Sequence, residues 1–253
     1  MLAVPAPETA QRTSESLGFP VVELFGPTIQ GEGPDAGVPA YFVRFGGCDY
    51  RCAWCDSMHA VEPAEVRANA EKLGVDDIVE RLNGLEGGPN LVVLSGGNPA
   101  LLELGPLVLA LQRTGKRVAV ETQGSRWRDW LSTVDRLVIS PKPPSSGMAG
   151  QKQMDELSAF MARSAAQEGV ALKFVVFDEQ DLDWAAARHL EHPDLALFLS
   201  AGTDVGLSDA DTLDRLRERF RWLCESVAIR PDLRLARVLP QLHVIAWGTA
   251  KGV

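Results

Sequence analysis

A partial (open) β/α barrel of about six parallel strands, an α/β fold, is what this 253-residue sequence predicts. Three observations predict it. Apolar, strand-like runs alternate with helix-like stretches for most of the chain, the pattern of parallel strands joined by right-handed crossovers. About six such repeats are present, too few for a closed eight-fold barrel. The cysteine-rich and glycine-rich stretches each follow the C-terminal end of a predicted strand, the rim on which barrels build their sites.

The totals narrow the function. Hydrophobic residues make up 45% of the chain and charged residues 23%, as in an ordinary globular protein of one large domain or two small ones. A net charge of -9 argues against a broad nucleic-acid footprint, which needs a basic face. The expected partner is a small molecule or a second copy of the chain. No apolar run is long enough to span a bilayer, so no membrane partner is expected. The N-terminus lacks the basic start and apolar centre of a signal peptide. A cytoplasmic location, with reduced thiols, is the expectation.

Residues 1–18 lack periodicity and read as a mobile leader; residues 19–253 read as the domain. Phe19–Phe25 is extended, and a turn-rich loop, Gln30-Gly31-Glu32-Gly33-Pro34, follows it. Pro39–Gly46 reads as the first core strand, with Arg44 alone among apolar residues. Arg44 is either a surface arginine on an edge strand or a two-donor clamp for a carboxylate. Residues 58–74 contain a short helix, and Val75–Leu82 shows helical spacing with acids in its first turn. Asn90–Ser95 is a continuous apolar run, as a buried parallel strand should be. It ends in Gly96-Gly97-Asn98-Pro99, where glycines let backbone approach a ligand or simply make a tight turn. Leu101–Arg113 is a helix, Arg117–Glu121 a strand, Trp127–Val134 a short helix and Arg136–Ser140 a strand. Residues 143–150 look like a flexible loop. Met154–Glu168 is helical with Gly169 as its stop. Leu172–Phe177 is a strand, Asp181–Leu190 a helix, Leu195–Leu199 a strand, Asp209–Cys224 a helix and Leu233–Val238 the last strand. Gln241 and His243 alternate beyond it and are expected to face one side.

The chemistry concentrates in Cys48-Asp49-Tyr50-Arg51-Cys52-Ala53-Trp54-Cys55, with three of the four cysteines spaced C-x3-C-x2-C. Three thiolates on one loop can hold three irons of a cubane cluster and leave the fourth iron open, unlike the four-cysteine cluster of a ferredoxin. A zinc knuckle with His59 as fourth ligand is the competing reading. A disulfide is disfavoured, because nothing marks the chain as secreted.

The cysteine loop at the end of a strand resembles the radical S-adenosylmethionine superfamily. Within it, Phe25–Gly33, Cys55-Asp56-Ser57, Ser95–Pro99, Glu121-Thr122-Gln123-Gly124, Ser140-Pro141-Lys142 and Gln241-Leu242-His243 resemble the 7-carboxy-7-deazaguanine synthase family, in that family's order. The likeness runs from about Phe19 to the C-terminus. It implies a partial barrel with N-terminal and post-cluster additions, and a 4Fe-4S cluster on Cys48, Cys52 and Cys55. It also implies S-adenosyl-L-methionine, held by Gly97, Asn98, Ser140, Pro141, Lys142 and Ser200. Mg2+ is expected on Ser57. A 6-carboxytetrahydropterin substrate is expected on Ile29, Gln30, Gly31, Arg44 and Ser95. Its implied fate is loss of a hydrogen from carbon 6, ring contraction and release of ammonia. The implied partners are a flavodoxin or ferredoxin as reductant and a second copy in a homodimer. Three positions depart from the family pattern. Ser57 replaces threonine and keeps the oxygen. Asn98 replaces a glutamate and loses the charge. Ser200-Ala201 replaces Gln-Pro. Another radical enzyme, such as a glycyl-radical activase, and a zinc-binding interaction module are the rivals.

Overall fold

The computed structural model describes residues 18–250 and Gly252. The leader expected over residues 1–18 therefore lies, but for Gly18, outside the described residues. Nine strands form one sheet in the order β3-β1-β2-β4-β5-β6-β7-β8-β9. They are β1 (Phe19–Ile29), β2 (Pro39–Phe45), β3 (Glu71–Leu73), β4 (Leu91–Gly96), β5 (Arg117–Thr122), β6 (Arg136–Ile139), β7 (Val170–Val176), β8 (Ala196–Ala201) and β9 (Arg237–Leu239). From β2 to β9 every neighbouring pair is parallel. β1 runs antiparallel to both β2 and β3. The curved sheet ends in β3 on one side and β9 on the other, so the barrel stays open, as the repeat count predicts.

Each parallel strand divides its residues by alternation. Tyr41, Val43 and Phe45 of β2, Val92 and Leu94 of β4, Val118 and Val120 of β5, and Leu172, Phe174 and Val176 of β7 pack outward into the main core. α1 (Pro63–Asn69), the short helix after the cysteine loop, buries no residue, and that core is shared with the covering helices α2 (Val75–Gly84), α3 (Gly105–Arg113), α4 (Gln151–Ser164), α5 (Glu179–Leu190) and α6 (Asp209–Ala228). A second, smaller cluster of Ala40, Leu91, Val93 and Ala119 lines the concave side. With successive residues pointing to opposite faces, Arg44, Ser95, Glu121 and Lys173 share that concave side.

The departures from expectation have local causes. β1 continues past Phe25 through Gly26 and Pro27 to Ile29, with an irregular register between Phe25 and Thr28; a proline is tolerated in a strand at such a bulge. β3 is a three-residue strand with only Leu73 buried, too short to leave a period. Trp127–Val134 contains a 3-10 turn, Asp129–Thr133, that buries Trp130 and Leu131. Residues 143–150 are tied down: Ser146 is buried, and the Ser145 hydroxyl donates to Asp181 at 2.6 Å. The last strand begins only at Arg237, after a 3-10 turn at Pro231–Leu233, and Gln241 opens a helix, α7 (Leu242–Trp247).

The loop after β1 does not lie on the surface. It closes on itself through Gln30 N–H to Val38 O at 2.9 Å and Gly37 N–H to Gln30 O at 2.8 Å. Asp35, buried at its tip, forms ion pairs with Arg117 and Arg136 at the starts of β5 and β6, at 3.3 and 3.4 Å. The loop thus crosses the concave side and plugs the barrel at its strand-start end.

Candidate active site

Above the plug lies a cavity of about 490 Å³. Cys48, Cys52 and Cys55 border it, as do Ser57, Ile29, Gln30, Gly31, Arg44, Ser95, Gly97 and Lys142. Asn98, Ser140, Pro141 and Ser200 do not. Their side chains are buried beside the rim, and the Ser200 hydroxyl has no hydrogen-bond partner.

The cysteine loop leaves the end of β2 and is fastened at several points. Ala53 N–H donates to Ser146 O at 3.0 Å, and Trp54 Nε1 donates to Ser145 Oγ at 2.9 Å. Trp54 also meets the Phe177 ring with centroids 5.0 Å apart. No cysteine forms a disulfide. Burial pushes all three loop thiols up, Cys52 to about 11, against the opposing pull of the nearby Lys142 ammonium. Three soft sulfur donors on a fixed loop, protonated until a metal displaces the proton, suit an iron–sulfur cluster. His59, needed as fourth ligand in the zinc knuckle, instead turns Nε2 to Glu23 at 3.2 Å.

Arg44 sits between β1 and β4 in the sheet, so it is not on an edge strand. Its Nε meets Glu23 at 2.5 Å and its Nη1 donates to Ser57 Oγ at 2.9 Å. Burial would raise the Glu23 carboxyl, but Arg44 and His59 together hold it below the ordinary value. Ser57 donates in turn to Asp56 at 2.7 Å. Serine hydroxyl and aspartate carboxylate are the hard oxygen donors that suit magnesium.

The floor holds the strongest electrostatic feature. The Lys173 ammonium, 2% exposed, meets Glu32 at 2.9 Å and Glu121 at 2.6 Å. Burial alone would lower Lys173; Glu121 and Glu32 raise it well above the usual lysine range. Burial would raise Glu32, yet Lys173, His243 and Lys142 bring it down to about 2. Gln241 Nε2 donates to the second Glu32 oxygen at 3.2 Å, and Leu242 N–H donates to Gly31 O at 3.2 Å. A Cβ on Gly31 would fall on His243 Nδ1, which is why this contact requires glycine.

Lys173 and Glu23 escape the sequence reading. Lys173 carried a usable signal: like Arg44, it is a lone charge inside an apolar strand. Glu23 lies in the alternating β1 and has no such mark.

The geometry agrees with comparisons to known proteins. Residues 42–140 match the Radical SAM superfamily. A 7-carboxy-7-deazaguanine synthase of Bacillus cereus is 41% identical over 240 residues, covering 93% of this chain and 99% of the relative. That of Bacillus subtilis is 39% identical over 241 residues, again 93% and 99%. In fold, QueE from Escherichia coli superposes with a TM-score of 0.64 at 22% identity, over 90% of this chain and 96% of that one. These relatives overturn the activase and zinc-module readings, and the chain belongs to the 7-carboxy-7-deazaguanine synthase family of radical S-adenosylmethionine enzymes.

Proposed function

We propose that this enzyme converts 6-carboxy-5,6,7,8-tetrahydropterin to 7-carboxy-7-deazaguanine, with loss of ammonia, in queuosine or other 7-deazapurine biosynthesis. The observation that carries this reading is one cavity with three thiols at its mouth, Arg44 on its wall and the Glu32–Lys173–Glu121 triad on its floor.

Cys48, Cys52 and Cys55 hold a 4Fe-4S cluster, and the cluster with S-adenosyl-L-methionine supplies the hydrogen-abstracting chemistry when bound. The chain's own groups bind and orient. Arg44 exchanges Glu23 for the substrate carboxylate, presenting two parallel donors. Glu32, held ionised by the Lys173 ammonium beside it, and Glu121, paired with the same ammonium, accept from the pterin ring N–H groups. Gln30, Ile29 and the Gly31 backbone close over the ring, and Ser95 offers a hydroxyl. Lys142, beside the thiols and 3.1 Å from Ser140 Oγ, faces the cosubstrate carboxylate. Gly97 allows a close backbone approach there, while Asn98, Ser140, Pro141 and Ser200 support that rim from behind. Trp54 and Phe177 exclude water from the cysteine side. Ser57 and Asp56 take magnesium together with a substrate oxygen. A flavodoxin or ferredoxin supplies the electron, and the working form is a cytoplasmic homodimer.

The test is anaerobically reconstituted protein with S-adenosyl-L-methionine, magnesium, a strong reductant and 6-carboxytetrahydropterin, read by mass spectrometry. Formation of 7-carboxy-7-deazaguanine is expected. Formation of 5′-deoxyadenosine without any deazaguanine would overturn the substrate.

A further inference from the structure

We propose that Asp49, Asn98, Ser125 and Gln123 form a brace that positions the Cys48 end of the cluster loop, and that Gln123 donates an N–H to the Cys48 sulfur and thereby raises the cluster's reduction potential. The proposal rests on the assignment of Cys48 as a cluster ligand.

The protons in this network are fixed by their partners. Asn98 is 1% exposed. Its Oδ1 accepts from Ala100 N at 3.2 Å and from the Thr122 hydroxyl at 2.8 Å. That sets the amide orientation, so Nδ2 donates to Asp49 Oδ1 and to Ser125 Oγ, both at 3.0 Å. Asn98 thus uses two protons and two lone pairs, its full capacity. Asp49 collects two further donors, Gln123 Nε2 at 2.6 Å and Ser125 Oγ at 2.7 Å. The residue next to Cys48 is therefore held by side chains that follow β4 and β5. The Gln123 amide, buried, also lies 3.6 Å from Cys48 Sγ, which receives Tyr50 N–H at 3.4 Å as well.

Two consequences follow. Donors to a ligand sulfur stabilise the more negative, reduced cluster, so they raise its potential. A carboxylate at position 98 would face Asp49 across 3.0 Å, because the Oδ1 side is committed elsewhere. While position 49 is acidic, position 98 therefore suits asparagine rather than aspartate.

The experiment uses the full reconstituted chain, with iron and sulfide assayed and the midpoint potential measured by redox titration. Gln123→Leu should keep its iron and shift the reduced-to-oxidised ratio at fixed potential threefold to tenfold toward oxidised; tenfold corresponds to 59 mV for one electron. Asn98→Asp and Asp49→Ala should each lose at least half their iron, and the two together should lose no more than the larger single loss. An unchanged potential in iron-replete Gln123→Leu overturns the sulfur contact. Losses that simply add in Asn98→Asp with Asp49→Ala overturn the brace. A wild-type chain that assembles no cluster would instead overturn the ligand assignment on which both rest.

Discussion

Lys173 shows how a single residue sets the character of the site. Removing one partner from a buried ion pair costs roughly 3–5 kcal/mol, because the remaining charge is left without compensation. Lys173→Met leaves Glu32 and Glu121 facing one cavity with no cation between them, so it should lower both thermal stability and kcat/KM. Thermal melts and steady-state kinetics check this. The pH dependence has a definite sign. The folded carboxyl of Glu32 sits near 2, below the ordinary 4.5, so its stabilisation is complete above about pH 4.5 and disappears as the pH falls toward 2. Melting temperature plotted against pH should decline over that window, and less steeply in Lys173→Met. Arg44→Ala should raise the KM for the pterin at least tenfold, in keeping with about 1.5–3 kcal/mol for a charged hydrogen bond, and leave that for S-adenosyl-L-methionine nearly unchanged. Equal effects on both constants would rule out the carboxylate clamp. Cys52→Ala should abolish cluster assembly, measured as iron per chain.

At the level of elements, legibility followed periodicity. β4 was clear because Leu91 to Leu94 are apolar on both faces, and the structure packs Val92 and Leu94 outward and Leu91 and Val93 inward. β3, with three residues, and α7, with six, had no room for a period. The site was legible where a residue broke the pattern of its element, as Arg44 does in β2. It was not legible where function depends on what another element brings. The side chain of Asn98 faces Asp49 and Thr122, 49 and 24 residues away in sequence, and no local pattern signals that. The turn after β4 also limits substitution. A Cβ at Gly97 would fall on the Gly47 carbonyl. Gly97→Ala should therefore separate the ends of β2 and β4 and lower both melting temperature and iron retention.

For the whole molecule, the open barrel depends on a segment that is not part of its wall. The Gln30–Val38 loop fills the concave side, and Asp35 fixes its tip against Arg117 and Arg136. Asp35→Ala should speed amide hydrogen exchange across residues 30–38 and raise the substrate KM, while leaving iron content unaltered. An exchange pattern identical to wild type would show that the ion pairs do not hold the plug. Among the described residues, no helix is long and apolar enough to cross a membrane.

The floor of the cavity is completed by partners 209 residues apart, Glu32 and Gln241, whereas the cysteine loop closes within eight. These two halves of the enzyme need not appear together during synthesis. A chain broken before Gln241 keeps every cluster ligand and loses the clasp on the substrate loop. What such a fragment retains on that loop is its own closure and the Asp35 ion pairs, so the last residues of the chain act as a latch added to a loop already in place.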